Sequence, residues 1–150
     1  MKMTSRISKT LAVSALAAAS MASQAALTVY TTQSSFLAAI SAPQTDTFDD
    51  LPKQDLPVTL NRTAGGYNYV AAGVFNPVGT TLWGAGVGAD TWLSLEESTA
   101  TLVLSGFSPM VRGVGGFFFT NGNDGSFLPG QTMNVVAQDA SGSMSQTLVD

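Results

Sequence analysis

The sequence predicts an all-β domain, a β-sandwich or jelly roll with one short N-terminal helix after an export signal. Three observations predict it. Fifteen glycines cut the chain into short segments bounded by turns. Those segments alternate in polarity or run β-branched and apolar, as strands do. Only one stretch, near residue 32, spaces its apolar residues as a helix would.

Residues 1–25 read as a secretory signal peptide. Lys2, Arg6 and Lys9 stand in the first nine residues without an acid. Residues 11–22 are apolar apart from Ser14 and Ser20, and twelve residues fall short of the about 20 that span a bilayer. Ser23-Gln24-Ala25 then supplies a small-x-small cleavage site, so the mature chain is expected to begin at Ala26. The chain switches at once to Leu27-Thr28-Val29-Tyr30, and residues 27–31 are expected to form a first strand.

The helix is expected over residues 32–40. Thr32 or Ser34 can cap it, Phe36, Leu37 and Ile40 form its apolar stripe, and Pro43 follows. Residues 45–48 are expected to be extended, and 51–57, with Pro52 and Pro57, to be loop. Further strands are expected at 67–70, 91–96 and 99–104. Residues 111–120, containing Phe117-Phe118-Phe119, read as a central strand buried on both faces. Residues 121–125 are turn formers. Strands at 131–138 and 143–150 complete the order, joined by a turn at 139–142. The chain stops inside that last strand, which predicts either an edge strand or a truncated sequence. No internal repeat of fixed period is evident.

Beyond Ala25 the chain is 125 residues, enough for one domain, 26–150. It keeps three cations, Lys53, Arg62 and Arg112, against ten acids, a net charge of −7. Such a surface disfavours nucleic acid and anionic membrane surfaces as partners, and no membrane span is expected once the signal is removed. Cysteine and histidine are both absent. The fold therefore has no disulfide. Nucleophilic catalysis through His, and zinc sites of the ordinary kind, are excluded, and no catalytic residue is assigned.

Several features remain as candidates. Gly84-Ala85-Gly86-Val87-Gly88 looks like a phosphate-binding glycine loop, but a strand rather than a helix follows it, so a flexible loop or turn is expected. Asn61-Arg62-Thr63 is a glycosylation sequon, expected on an exposed loop. Asp46, Asp49, Asp50 and Asp55 form an acidic cluster, to be read as a solvated edge, a structural cation site, or an acid pair lacking a partner across a cleft. If a metal binds, hard oxygen ligands imply calcium, with Asp49 and Asp50 as first ligands and Asp139 as a further one. Trp92 shares a strand face with Ser94 and Glu96, opposite Leu93 and Leu95. An aromatic so placed either stacks on sugar C–H faces or packs under a loop. Tyr67 and Tyr69, on the alternating run Tyr67-Asn68-Tyr69-Val70, are further candidate aromatics for a ligand.

A family resemblance accompanies these readings. The residues that carry it are the Phe36-Leu37-Ala38-Ala39 helix, then Thr47-Phe48-Asp49-Asp50-Leu51-Pro52, then Gly88-Ala89-Asp90-Thr91-Trp92-Leu93-Ser94. The run from Phe107 to Phe119 and Leu128-Pro129-Gly130-Gln131-Thr132 complete it. This layout resembles exported proteins of Gram-negative bacteria that carry a PEP-CTERM sorting tail. The resemblance implies an extracellular or cell-surface β-sandwich, the periplasm being the alternative, associated with exopolysaccharide or biofilm matrix. The Pro-Glu-Pro motif, hydrophobic helix and arginine cluster of that family are not among these 150 residues, so exosortase anchoring does not carry over to them. Family members usually continue for further strands, which favours truncation.

The function expected is thus a non-enzymatic, matrix-associated or glycan-binding module with polysaccharide as partner. The alternatives are a self-associating structural surface protein and, last, a carboxylate-based glycoside hydrolase.

Overall fold

The computed structural model describes residues 27–75, 78–122, 125–140 and 142–149. The signal peptide expected over residues 1–25 and its expected cleavage site lie outside them. Among the described residues there are one helix and nine strands. The fold is all-β and sandwich-like.

Helix α1 spans Gln33–Ala39, and Thr32 caps it by accepting the Ser35 N–H at 3.3 Å. None of its residues is fully buried. Phe36 packs against the backbone near Gly113 and Gly115, where an added Cβ would meet its ring at 3.1 and 2.9 Å.

One sheet joins β1 (Asp55–Leu56), β5 (Leu82–Val87) and β6 (Asp90–Leu95) in the order β1-β5-β6, all antiparallel. The second is built on β3 (Tyr67–Phe75). Strands β2 (Thr59–Ala64) and β4 (Val78–Thr80) follow one another along one edge of β3, and β7 (Thr101–Ser105) runs along the other. The chain passes from the second sheet to the first between Thr80 and Leu82. Strands β8 (Thr132–Asp139) and β9 (Gly142–Val149) form a separate hairpin.

Register explains the core. Leu56, Leu82 and Leu95 stand side by side across the first sheet. Leu60, Ala71 and Leu104 stand side by side across the second. These two rows meet between the sheets, joined by Leu51, Phe48, Tyr69, Leu93 and Leu102. Direct cross-strand neighbours on one face are the unit of sheet stabilisation, and burying each leucine contributes about 1.5–3 kcal/mol.

Several expectations are corrected here. Residues 27–31 form no strand. The glycine-rich segment is largely strand β5 rather than a loop. Gly84 sits where the chain crosses the Pro52 carbonyl too closely for any side chain, so its glycine serves packing rather than flexibility. Only Gly88, at φ 62°, is a turn glycine, in the two-residue connection to β6. The 51–57 loop contains the short strand β1, and the sequon lies on β2 with Asn61 exposed.

The largest correction concerns 111–120, which enters no strand. Phe117 is 81% exposed and Phe118 39%. Both edges of β3 are already occupied, and of the three rings Phe119 is the one that meets other aromatic rings, Trp92 and Phe127, among the described residues. An apolar run specifies burial only if the fold offers it a neighbour.

Candidate functional site

Strand β6 presents two faces. Thr91, Leu93 and Leu95 point inward, Thr91 with 5% exposure. Asp90, Trp92 and Ser94 therefore point outward. That outer face is covered by two runs, 119–122 and 125–127, that lie back on one another. Gly122 N–H donates to the Ser126 carbonyl at 2.8 Å, and Asn121 pairs with Phe127 across the turn. The turn is tied to the sheet by Ser94, whose hydroxyl donates to Asn121 Oδ1 at 3.0 Å.

Between this turn and the β5–β6 hairpin lies an open cleft of about 500 Å³, lined by Val87, Asp90, Trp92, Phe119, Gly125, Ser126 and Phe127. Its wall is a chain of aromatic rings. Phe119 meets Trp92 edge-on at 5.4 Å and Phe127 edge-on at 6.3 Å. Val87 and Phe127 remain 67% and 54% exposed. The indole Nε1 of Trp92 is buried and has no hydrogen-bond partner among the described residues. Gly125, at φ 81°, lies over the same ring, where a side chain would meet Cζ2 at 3.7 Å.

A second, polar hollow of about 410 Å³ is lined by Thr45, Asp46, Thr47, Asp50, Asn61, Arg62 and Thr63. Its centre is one guanidinium. Arg62 grips Asp46 through Nε at 3.0 Å and Nη2 at 2.6 Å, and Asp50 through Nη1 at 2.8 Å and Nη2 at 2.7 Å. The Tyr69 hydroxyl donates to Asp46 Oδ2 at 2.8 Å, and Phe48 lies 5.2 Å beneath the guanidinium carbon.

Burial alone would raise the Asp46 carboxyl. Hydrogen bonds from Arg62, Tyr69 and the Phe48 N–H outweigh it and hold the group below its ordinary range. Asp50 is lowered chiefly by its hydrogen bond from Arg62. Arg62 rises in turn through Asp50 and Asp46. Tyr69 is pushed up by burial and then by its bond to Asp46.

Phe48 has φ 62°, unusual for an aromatic residue. Its N–H bonds Asp46 Oδ1 at 3.1 Å, and its carbonyl accepts the Thr91 hydroxyl at 2.8 Å and the Leu51 N–H at 2.9 Å. Residues 48–51 therefore turn, so Asp49 and Asp50 stand in a turn beyond the extended residues 45–48.

The candidate residues from the sequence thus separate. Trp92 lines the aromatic cleft. Tyr69 belongs to the Arg62 network and stacks on Phe107 at 5.7 Å. Tyr67 is half-buried at the start of β3, opposite Ala64, on the other sheet from Trp92. Asp50 is held by Arg62, and Asp49 accepts the Thr91 N–H at a long 3.5 Å. Asp139 ends β8 opposite Gly142, whose N–H its carboxylate accepts at 3.2 Å. Among the described residues, no three acids gather as a metal-holding group. The cation that Asp46 and Asp50 hold is Arg62.

Reading the sequence missed Asp90, Phe119 and Phe127 as cleft residues. The usable signal was Asp90 two positions before Trp92, hence on its face. No known family model, curated protein or solved structure matches the chain.

Proposed function

We propose that this chain is a non-enzymatic, exported β-sandwich module that binds polysaccharide through the Trp92 cleft. The observation that carries the reading is the ring wall Trp92–Phe119–Phe127 beside an open cleft. Ring faces take the C–H face of a pyranose. The export signal and the resemblance to matrix-associated PEP-CTERM proteins support the compartment. The absence of His and Cys from the sequence supports binding rather than nucleophilic chemistry. No described helix is long and apolar enough to cross a membrane.

Retention on a panel of immobilised polysaccharides tests this, with Phe127→Ala as the variant because Phe127 is exposed and its loss spares the core. Wild type should be retained on at least one polymer, and the variant's affinity should fall about 5–10-fold, the worth of one aromatic contact. Failure to bind any polysaccharide sinks the proposal.

A further inference from the structure

The charge of the cleft narrows its ligand. Asp90 is the one charged residue among the described residues of its lining. Its carboxylate has no hydrogen-bond or ionic partner among the described residues, unlike Asp46 and Asp50. The nearby cation Lys53 is engaged elsewhere, its Nζ donating to the Gly88 carbonyl at 2.8 Å. Asp90 and Trp92 are two apart on β6 and so share a face, about 7 Å from one another. That spacing lets one sugar lie on the rings while a substituent reaches the carboxylate.

We infer that the Trp92 cleft selects a cationic amino-sugar polymer, a hexosamine chain carrying free ammonium groups, with the ammonium on Asp90 and the sugar on the aromatic wall. The inference rests on the glycan-binding reading above. Three physical effects favour this class. An ammonium pairs with a free carboxylate and is further attracted by aromatic ring faces. The net charge of −7 beyond Ala25 draws in polycations and repels polyuronates. A neutral polymer would offer Asp90 only hydroxyl hydrogen bonds, without the charge pairing that an ammonium adds.

Calorimetric titration with three oligosaccharides decides the matter: a glucosamine hexamer, an N-acetylglucosamine hexamer and a uronate hexamer. Proteins are the wild type, Asp90→Asn, Phe127→Ala, and Glu97→Gln, which removes the same charge away from the cleft. The glucosamine hexamer should bind wild type most tightly. Asp90→Asn should weaken it about 5–10-fold and leave the N-acetylated hexamer within about twofold. Phe127→Ala should weaken both, and Glu97→Gln neither. If no hexamer binds while wild type is retained on another polysaccharide of the panel, the inference is overturned and the glycan reading stands; retention on none sinks both. If the N-acetylated or uronate hexamer binds as well as the amine, the glycan reading stands and the inference is overturned. Equal losses in Asp90→Asn and Glu97→Gln overturn it too, because bulk charge would then account for the binding.

Discussion

Arg62 is the residue on which the acidic edge of the domain depends. Its side chain and that of Asp46 are only 11% and 10% exposed, whereas Asp50 is 68% exposed. Breaking a buried pair by removing one partner strands the other charge, and that is more costly than the pair was stabilising. Arg62→Ala should therefore cost about 2–4 kcal/mol. Asp50→Asn, which breaks only the solvated half, should cost less than about 1 kcal/mol. In a domain of this size the first change lowers the melting temperature by about 10 °C. Thermal melts of the two variants measure the difference, and an Arg62→Ala protein melting with wild type would show that the network contributes nothing. The same residue carries the αL backbone of Phe48, whose ring lies beneath the guanidinium.

At the scale of elements, the two sheets and the β8–β9 hairpin differ in what supports them. Strands of the sheets share the leucine rows. The hairpin's apolar face, Met133, Val135 and Ala137 opposite Leu148, Gln146 and Met144, is half-covered at Met133, Val135 and Leu148 and exposed at the other three, and on its other face Val136 and Val149 are 63% and 71% exposed. A lone two-stranded hairpin is marginal in water. Its amides should exchange with little protection, while those of β3, paired on both sides, should exchange only on global unfolding. Deleting residues 131–150 should move the melting temperature of the remainder by no more than about 3 °C. Loss of the folded state on that deletion, or slow exchange throughout β8 and β9, would show the hairpin to be part of the core.

For the whole molecule, charge sets the response to pH. Asp46 and Asp50 have folded-state pKa values below their ordinary ones. Groups depressed in this way contribute stability that is present above about pH 4 and lost as the pH falls through the folded value. Tyr69, raised in the folded state, acts at the other end, its contribution present below about pH 10 and lost above it. The melting temperature should thus fall steeply from about pH 5 to pH 3 in wild type and less steeply in Arg62→Ala. Parallel profiles for the two proteins would place the acid sensitivity elsewhere.

The sequence by itself determined the all-β class, the helix with its Thr32 cap, the β8–β9 hairpin and the two faces of β6, all through local periodicity and turn chemistry. Trp92 was legible as an outward-facing aromatic because alternation along one strand decides its face. What it meets on that face was not legible. Phe119 reaches the indole, and Phe127 reaches Phe119, because the runs 119–122 and 125–127 lie over β6, a contact between segments far apart in sequence. Phe117 and Phe119 have the same local pattern and opposite fates, since only one of them has a partner across that contact. Arg62 and Asp46, likewise, are 16 residues apart and meet through strand β2 and the αL turn at Phe48. Only the tertiary structure decided these pairings, because the energy of a buried ring or ion pair resides in its distant neighbour, which periodicity along the chain does not encode.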